Sequence, residues 1–172
     1  EMTQNVVLIT GSSGGVGTAV RTRFESGGWQ VVGIDVTEHV NTDIVADLRS
    51  EAACRDAVAQ AVKLHGRLDG VVLAAGVWTE GPTAETTEEE FDLVFDVNVK
   101  GSYFTMAAAL PELIKTSGWV TALSSDAGIQ GNAGAAVYSA SKGAISNLVR
   151  AVAREMAPDK VRVNAICPGD ID

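Results

Sequence analysis

A tyrosine and a lysine four residues apart, Tyr138 and Lys142, have the spacing that places two side chains on one face of a helix. A free tyrosine has a pKa near ~10 and is a poor base at neutral pH. A nearby ammonium favours the phenolate, which can accept the proton of a substrate hydroxyl. Ser125 precedes Tyr138 by 13 residues (138 − 125), and its hydroxyl could hold the substrate oxygen and stabilise a developing alkoxide. Most tyrosine–lysine pairs with this spacing are exposed pairs on a helix, and a serine such as Ser125 is also common in a turn at the end of a strand. Whether these residues can transfer a proton therefore depends on the elements that position them.

A glycine-rich turn near the N-terminus is the second feature with chemical meaning. The apolar residues 6–9 are typical of a buried strand, and the pattern T-G-x-x-x-G-x-G follows at residues 10–17, before a helical pattern. Glycines allow a pyrophosphate to approach the backbone, and the N-terminus of a helix offers it free N–H groups. An ordinary turn between a strand and a helix can have this composition too, and the spacing differs from G-x-G-x-x-G. In its strand–turn–helix context the pattern predicts a dinucleotide site.

An acid, Asp35, ends the second apolar run at residues 30–35. A carboxylate there can accept hydrogen bonds from ribose hydroxyls and would repel a 2′-phosphate. No lysine or arginine lies in the glycine turn or directly after Asp35. A solvated acid at a strand end is the alternative, but together with the turn these residues predict NAD rather than NADP.

Apolar runs alternate with helical patterns along the chain. Further strands are predicted at residues 43–48, 68–76, 118–125 and 161–167, and helices at 51–65, 87–115 and 136–156. This alternation predicts an α/β fold with a doubly wound parallel sheet (Rossmann-like), in three α/β/α layers. By analogy with doubly wound folds, the strand order is 3-2-1-4-5-6. Ligands bind at the carboxyl ends of the strands in such sheets, where all these motifs lie. The length of 172 residues predicts a single domain, 1–172.

The helix at 87–115 has irregular features. Thr87 and Glu90 form a capping-box pattern at its start. Asn98 and Gly101 are unfavourable in mid-helix, which predicts a break between two helices, a compensating contact, or both. Pro111 is expected to interrupt the helix or to begin its last segment.

Composition excludes several functions. The net charge of −9 disfavours nucleic acid and anionic membrane surfaces as partners. The two cysteines, Cys54 and Cys167, are far apart, which indicates neither a disulfide framework nor a zinc site, and His39 and His65 have no ligand-like neighbours; no metal is expected. No run of about 18 apolar residues and no secretory signal is visible, so a cytoplasmic protein is expected.

The motifs of this chain and their order resemble those of the short-chain dehydrogenase/reductase (SDR) family over nearly the whole sequence. They are, in order, the glycine turn, the acid after the second strand, N-x-x-G at 98–101, the serine, Y-x-x-x-K and Pro168-Gly169. The resemblance implies an oxidoreductase that transfers a hydride between NAD(H) and a secondary alcohol or ketone. It implies the catalytic residues Asn98, Ser125, Tyr138 and Lys142, with Asn98 bending its helix and holding a water in a proton relay, and a homodimer or homotetramer. The cofactor-binding residues that it implies are Gly11, Ser13, Gly15, Val16, Gly17, Asp35, Asp47, Leu48, Ala75, Gly76, Tyr138, Lys142, Pro168 and Gly169.

Two departures from the family pattern stand out. The N-N-A-G at the end of the fourth strand is replaced by L-A-A-G at residues 73–76, which removes polar groups that tie this strand to its neighbour. Family members also continue past Pro168-Gly169 with a substrate lid and a last strand, whereas this sequence stops at Asp172, as a fragment would. A catalytically idle dinucleotide-binding or assembly protein is therefore the alternative function, and an interaction domain without a ligand is a third.

The substrate is the least defined part of the prediction. Two loops are expected to line its pocket by position, and the connection from residue 35 to 43 is loosely similar to that of dihydrodiol dehydrogenases acting on dihydroxycyclohexadiene acids. The pocket residues expected from the two loops are Trp78, Thr79, Glu80, Asp126, Ile129, Gln130 and Asn132.

Overall fold

A six-stranded parallel sheet forms the centre of the computed structural model, which describes residues 4–171. The strand order is β3-β2-β1-β4-β5-β6, and each neighbouring pair is parallel, as predicted. The strands are β1 Val6–Thr10, β2 Gln30–Asp35, β3 Ile44–Val45, β4 Gly70–Leu73, β5 Trp119–Leu123 and β6 Arg162–Ile166.

Helices connect the strands and pack on both faces of the sheet. The α-helices are α1 Gly15–Ser26, α2 Glu51–His65, α3 Glu88–Phe95, α4 Ser102–Thr116, α5 Ala127–Gln130 and α6 Ala136–Met156. A π-helical segment, Asp96–Gly101, joins α3 to α4, and short 3₁₀ turns lie at Thr83–Glu85 and Ala157–Asp159. Within residues 4–171, no helix is long and apolar enough to cross a membrane.

The two faces of the sheet are packed by different helices. On one face, alternate strand residues such as Leu8 and Val71 form a large buried cluster with the inner sides of α2, α4 and α6. On the other face a smaller cluster around Ile9 packs against α1 through Val20 and Phe24. Because both faces are covered, β1 is buried along its whole length, which explains its uninterrupted apolar sequence.

Two predicted elements differ most from the structure, and one short helix was not predicted. The third strand has two residues instead of six, because the chain turns at Asp47, whose Oδ1 accepts from the Arg49 amide (3.1 Å) and whose carbonyl accepts from the Ser50 amide (3.3 Å). Helix α4 runs through Pro111 without interruption; Pro111 is exposed there, so water can reach the carbonyl that lacks a helical donor. No sequence pattern predicted the short helix α5.

Candidate active site

The glycine-rich turn brings β1, α1 and the end of β4 into close contact. Gly11 has φ +68°, a conformation that favours glycine, and a Cβ there would lie 2.7 Å from the Cα of Ala75. A Cβ on Gly17 would overlap the carbonyl oxygen of Gly11. Helix α1 begins at Gly15 directly after the turn, so its free N–H groups lie where an anionic group could bind.

Asp35 is held by the same turn. Its Oδ2 accepts hydrogen bonds from the Ser13 amide (3.0 Å) and the Ser13 hydroxyl (2.7 Å), and its Oδ1 accepts from the Val36 amide (2.8 Å). Burial raises the pKa of Asp35, but these hydrogen bonds and those of Thr37 outweigh it, so the pKa lies below its ordinary value. The carboxylate is therefore charged and fixed in orientation at the end of β2.

A cavity of about 490 Å³ extends from the glycine turn past Asp35 to the end of β4. Asp47 lines it, but its carboxylate is paired with Arg49, whose Nη2 lies 2.6 Å from Oδ2, and this pairing lowers the pKa of Asp47. The predicted cofactor-binding residues in the lining of this cavity are Gly11, Ser13, Asp35, Asp47, Leu48, Ala75 and Gly76.

The end of β4 is tied to its neighbouring strand without the two missing asparagines. The Thr10 hydroxyl oxygen at the end of β1 accepts hydrogen bonds from the amides of Ala74 (3.1 Å) and Ala75 (3.2 Å). The L-A-A-G exit therefore keeps its backbone donors paired, and the local departure from the family pattern does not open the strand end.

Asn98 occupies the π-helical segment and is buried. Its Oδ1 accepts from the Val77 amide (2.8 Å), and its Nδ2 donates to the Val77 carbonyl (2.9 Å) and to the Ser141 hydroxyl (3.1 Å). The compensating contact predicted for Asn98 is present, and the helix continues through a wider turn instead of breaking. π-Segments of this kind are frequent at functional sites.

Ser141 is a contact residue that the sequence analysis missed. Its hydroxyl donates to the carbonyl of Tyr138 (2.7 Å) while it accepts from Asn98, so it connects the π-helical segment to the helix that carries Tyr138. Its sequence signal is a polar residue one turn before Ile145 on the apolar face of α6.

Lys142 is buried beneath Tyr138 on α6. Its Nζ donates to the carbonyl of Leu123 at the end of β5 (2.8 Å) and lies 5.6 Å from the centre of the Tyr138 ring. Burial lowers the pKa of Lys142 from 10.5 to about 8. A Cβ on Gly76 would lie 3.4 Å from this ammonium, which shows how closely the end of β4 approaches it.

Ser125 begins the loop after β5. Its hydroxyl donates to Oδ1 of Asp126 (3.0 Å) and accepts from the Ala127 amide (3.1 Å). The Asp126 amide in turn donates to the carbonyl of Pro168 (2.9 Å), so this loop is attached to the segment after β6.

A second cavity, of about 230 Å³, brings the reactive side chains together. Ser125, Tyr138 and Lys142 line it, whereas Asn98 lies behind it. It shares Ala74, Gly76 and Val77 with the larger cavity, so the two adjoin at the end of β4. The other lining residues are Val16, Trp78, Leu123, Ser124, Pro168, Gly169 and Ile171.

Most of the expected substrate-pocket residues lie elsewhere. Trp78 lines the cavity with Tyr138, but Thr79 and Glu80 line a separate cavity near Gly134. The four expected residues after Ser125 are absent from the lining of the cavity with Tyr138. Asp126 is half-buried and accepts from the Ser125 hydroxyl, whereas Ile129, Gln130 and Asn132 are exposed.

Comparison with known proteins agrees with this arrangement. The family model described as short chain dehydrogenase matches residues 5–172. The chain is 34% identical to oxidoreductase UcpA of Salmonella typhimurium over 98% of this chain and 70% of that protein. It is 35% identical to a 1,2-dihydroxy-1,2-dihydronaphthalene dehydrogenase of Pseudomonas putida, over 96% of this chain and 70% of that protein.

A solved structure is also similar: the ligand-free aldohexose dehydrogenase of Thermoplasma acidophilum superimposes with a TM-score of 0.93 at 28% identity. The match covers 98% of this chain and 68% of that one. The fold and these similarities define an oxidoreductase. The chain belongs to the short-chain dehydrogenase family, and both the family and the fold imply a nicotinamide dinucleotide cofactor.

Proposed function

We propose that this chain is an NAD-dependent dehydrogenase that interconverts a secondary alcohol and its ketone. The observation that carries the proposal is the position of Ser125, Tyr138 and Lys142 on one cavity that adjoins the larger cavity of the glycine turn and Asp35. Relatives named as dehydrogenases of diols, among them a meso-2,3-butanediol dehydrogenase of Serratia marcescens, support an alcohol as the substrate.

The residues present fit a dinucleotide. The helix N-terminus at Gly15 can receive the pyrophosphate, and the charged Asp35 can accept hydrogen bonds from the adenosine ribose. A 2′-phosphate would meet this carboxylate and be repelled, which favours NAD over NADP. Val16, Pro168 and Gly169 line the smaller cavity, where the nicotinamide end would lie beside Lys142.

Residues of this chain would carry out the proton transfer. When bound, NAD supplies the hydride acceptor, or the hydride donor in the reverse direction. Tyr138 would take the proton of the substrate hydroxyl, and the ammonium of Lys142 lies 5.6 Å from the centre of the tyrosine ring. Ser125 would turn its hydroxyl from Asp126 to the substrate oxygen and stabilise the charge that develops there.

The roles of Asn98 and of the quaternary structure complete the proposal. Asn98 would hold the end of β4 against α6 and could order a water for proton transfer behind Lys142. We also propose a homodimer or homotetramer, as in the family that the chain resembles.

Cofactor binding tests the proposed preference for NAD. Titration with NADH and NADPH, followed by nucleotide fluorescence, should give tighter binding of NADH, and Asp35→Ala should reduce the difference between the two. Glu38→Ala removes the same charge from an exposed position in the following loop and is the matched control. An unchanged preference in Asp35→Ala would contradict the role of this carboxylate.

Turnover tests the proposed role of Tyr138 in proton transfer. Tyr138→Phe should abolish NADH formation from a panel of secondary alcohols and leave NADH binding within severalfold. Tyr103→Phe removes the same atom from an exposed tyrosine on α4 and should keep full activity. Binding of NADH without turnover of any alcohol or ketone by the unmodified chain would instead support a catalytically idle binding protein.

A further inference from the structure

We propose that Trp78 selects substrates whose non-reacting part is a flat, apolar ring, and that this ring lies against the indole beside Tyr138. This inference rests on the proposed function and specifies its substrate class. The reaction would remove a hydride from the carbinol carbon to NAD⁺ and the hydroxyl proton to Tyr138, giving a cyclic ketone or a ketone attached to a ring.

The position of Trp78 is set by the same network that surrounds the reactive residues. Its neighbour Val77 is fixed through both its amide and its carbonyl by the Asn98 side chain, at 2.8 and 2.9 Å. The Trp78 and Tyr138 rings meet edge to face, with centroids 6.4 Å apart and an interplanar angle of 61°. This geometry is a favourable one for two aromatic rings and holds the indole next to the reactive tyrosine.

Trp78 remains open to a ligand in spite of this contact. Its side chain is 63% exposed, and Ile171, which lines the same cavity, is 64% exposed. A large apolar side chain in water is unfavourable, and here two of them border the cavity that contains Tyr138. A ligand that covers them would gain from removing this surface from water.

The cavity is therefore polar at one end and apolar at the other. Ser125, Tyr138 and Lys142 present hydroxyl and ammonium groups at the site of proton transfer, whereas Trp78 and Ile171 present carbon surface. A substrate with one reacting hydroxyl and an apolar ring matches both ends. An open-chain polyol would place hydroxyls against the indole, where they would lose water without gaining hydrogen bonds.

The experiment compares alcohols that share the reacting group. We would measure kcat/KM for 1-tetralol and 1-indanol, which carry the hydroxyl on a fused ring system, and for 2-butanol, in the unmodified chain and in Trp78→Ala, Trp78→Phe and Ile129→Ala. Ile129 is also an exposed apolar residue after Ser125 but does not line the cavity, so its variant is the matched control.

We expect Trp78→Ala to lower kcat/KM for the two ring alcohols roughly tenfold, the size of a lost aromatic contact, and to leave 2-butanol within about twofold. Trp78→Phe should keep most of the preference and Ile129→Ala all of it. Equal losses for ring and open-chain alcohols, or a lower stability in urea without any change of preference, would overturn the proposal and identify Trp78 as a packing surface for another part of the protein.

A binding measurement separates this inference from the proposed function. If no alcohol is oxidised, the proposed function fails, but binding of 1-tetralone in the presence of NADH can still be followed by ligand-observed NMR. Binding that Trp78→Ala weakens roughly tenfold and Ile129→Ala leaves unchanged would support the ring site, and equal binding to all three proteins would refute it.

Discussion

Replacing Lys142 with methionine should change the pH dependence of stability in a defined direction. The ammonium is buried against the Leu123 carbonyl, and burial lowers the pKa of Lys142 from 10.5 to about 8. Between these values the unfolded chain binds a proton that the folded chain releases, so the free energy of unfolding increases with pH. As pH falls through 8 this stabilisation is lost, because the folded protein must then bury a charged group.

The magnitude follows from the size of the shift. Between pH 7 and 9.5 about 1.5 pH units lie above the folded-state pKa, and each contributes about 1.4 kcal/mol, which gives a rise of about 2 kcal/mol in the free energy of unfolding. Lys142→Met keeps the length of the side chain but has no proton to release. Its stability should therefore lack this contribution, and the difference between the unmodified chain and the variant should change by about 2 kcal/mol over the range.

Urea unfolding followed by circular dichroism, in steps of half a pH unit and without cofactor, measures this difference. Lys63→Met removes the same charge from an exposed position on α2 and should leave the slope with pH unchanged. Parallel profiles for the unmodified chain and Lys142→Met would refute the reasoning, because they would mean that the ammonium is solvated in the folded state.

Two further changes probe the framework of the site. Thr10→Val removes the acceptor of the Ala74 and Ala75 amides and should lower the free energy of unfolding by roughly 3 kcal/mol, measured in urea; a loss below about 1 kcal/mol would mean that water replaces the hydroxyl. Ser141→Ala breaks the link between Asn98 and the Tyr138 carbonyl and should cost about 2 kcal/mol, with a lower kcat for whichever alcohol is turned over. Ser139→Ala, at a less buried position on the same helix, is the control, and equal effects of the two serine variants would contradict a special role for Ser141.

The sequence predicted most accurately what local interactions decide. Helix α2 was predicted at residues 51–65 and is observed at Glu51–His65, because Ser50 caps its start and Gly66, at φ +73°, ends it. The capping box of Thr87 and Glu90 is likewise formed as predicted. The parallel sheet followed from the alternation of strands and helices, and the strand order from analogy with doubly wound folds.

Contacts between distant segments could not be predicted in the same way. The Thr10 hydroxyl reaches amides 64 and 65 residues away, and the Asn98–Ser141 bond spans 43 residues. Such pairs depend on how the elements pack, and a local sequence pattern does not predict this packing. The pocket residues expected after Ser125 are absent from the lining of the cavity with Tyr138 for the same reason: their positions depend on α5, whose single turn has too few residues for a helical period to be visible.

Because of the π-helical segment, the number of residues between α3 and α4 affects the site. From Val94 to Leu113 the buried face runs through 19 residues (113 − 94) in five turns, where an α-helix would use 18. Deleting one residue from Asp96–Gly101 would let α3 and α4 join as one regular helix. Val94 and Leu113 would stay on one face, because 18 residues make five α-helical turns. Asn98 would lose the widened turn that presents its amide to Val77 and Ser141. The additional residue therefore serves the site and not the register of the two helices.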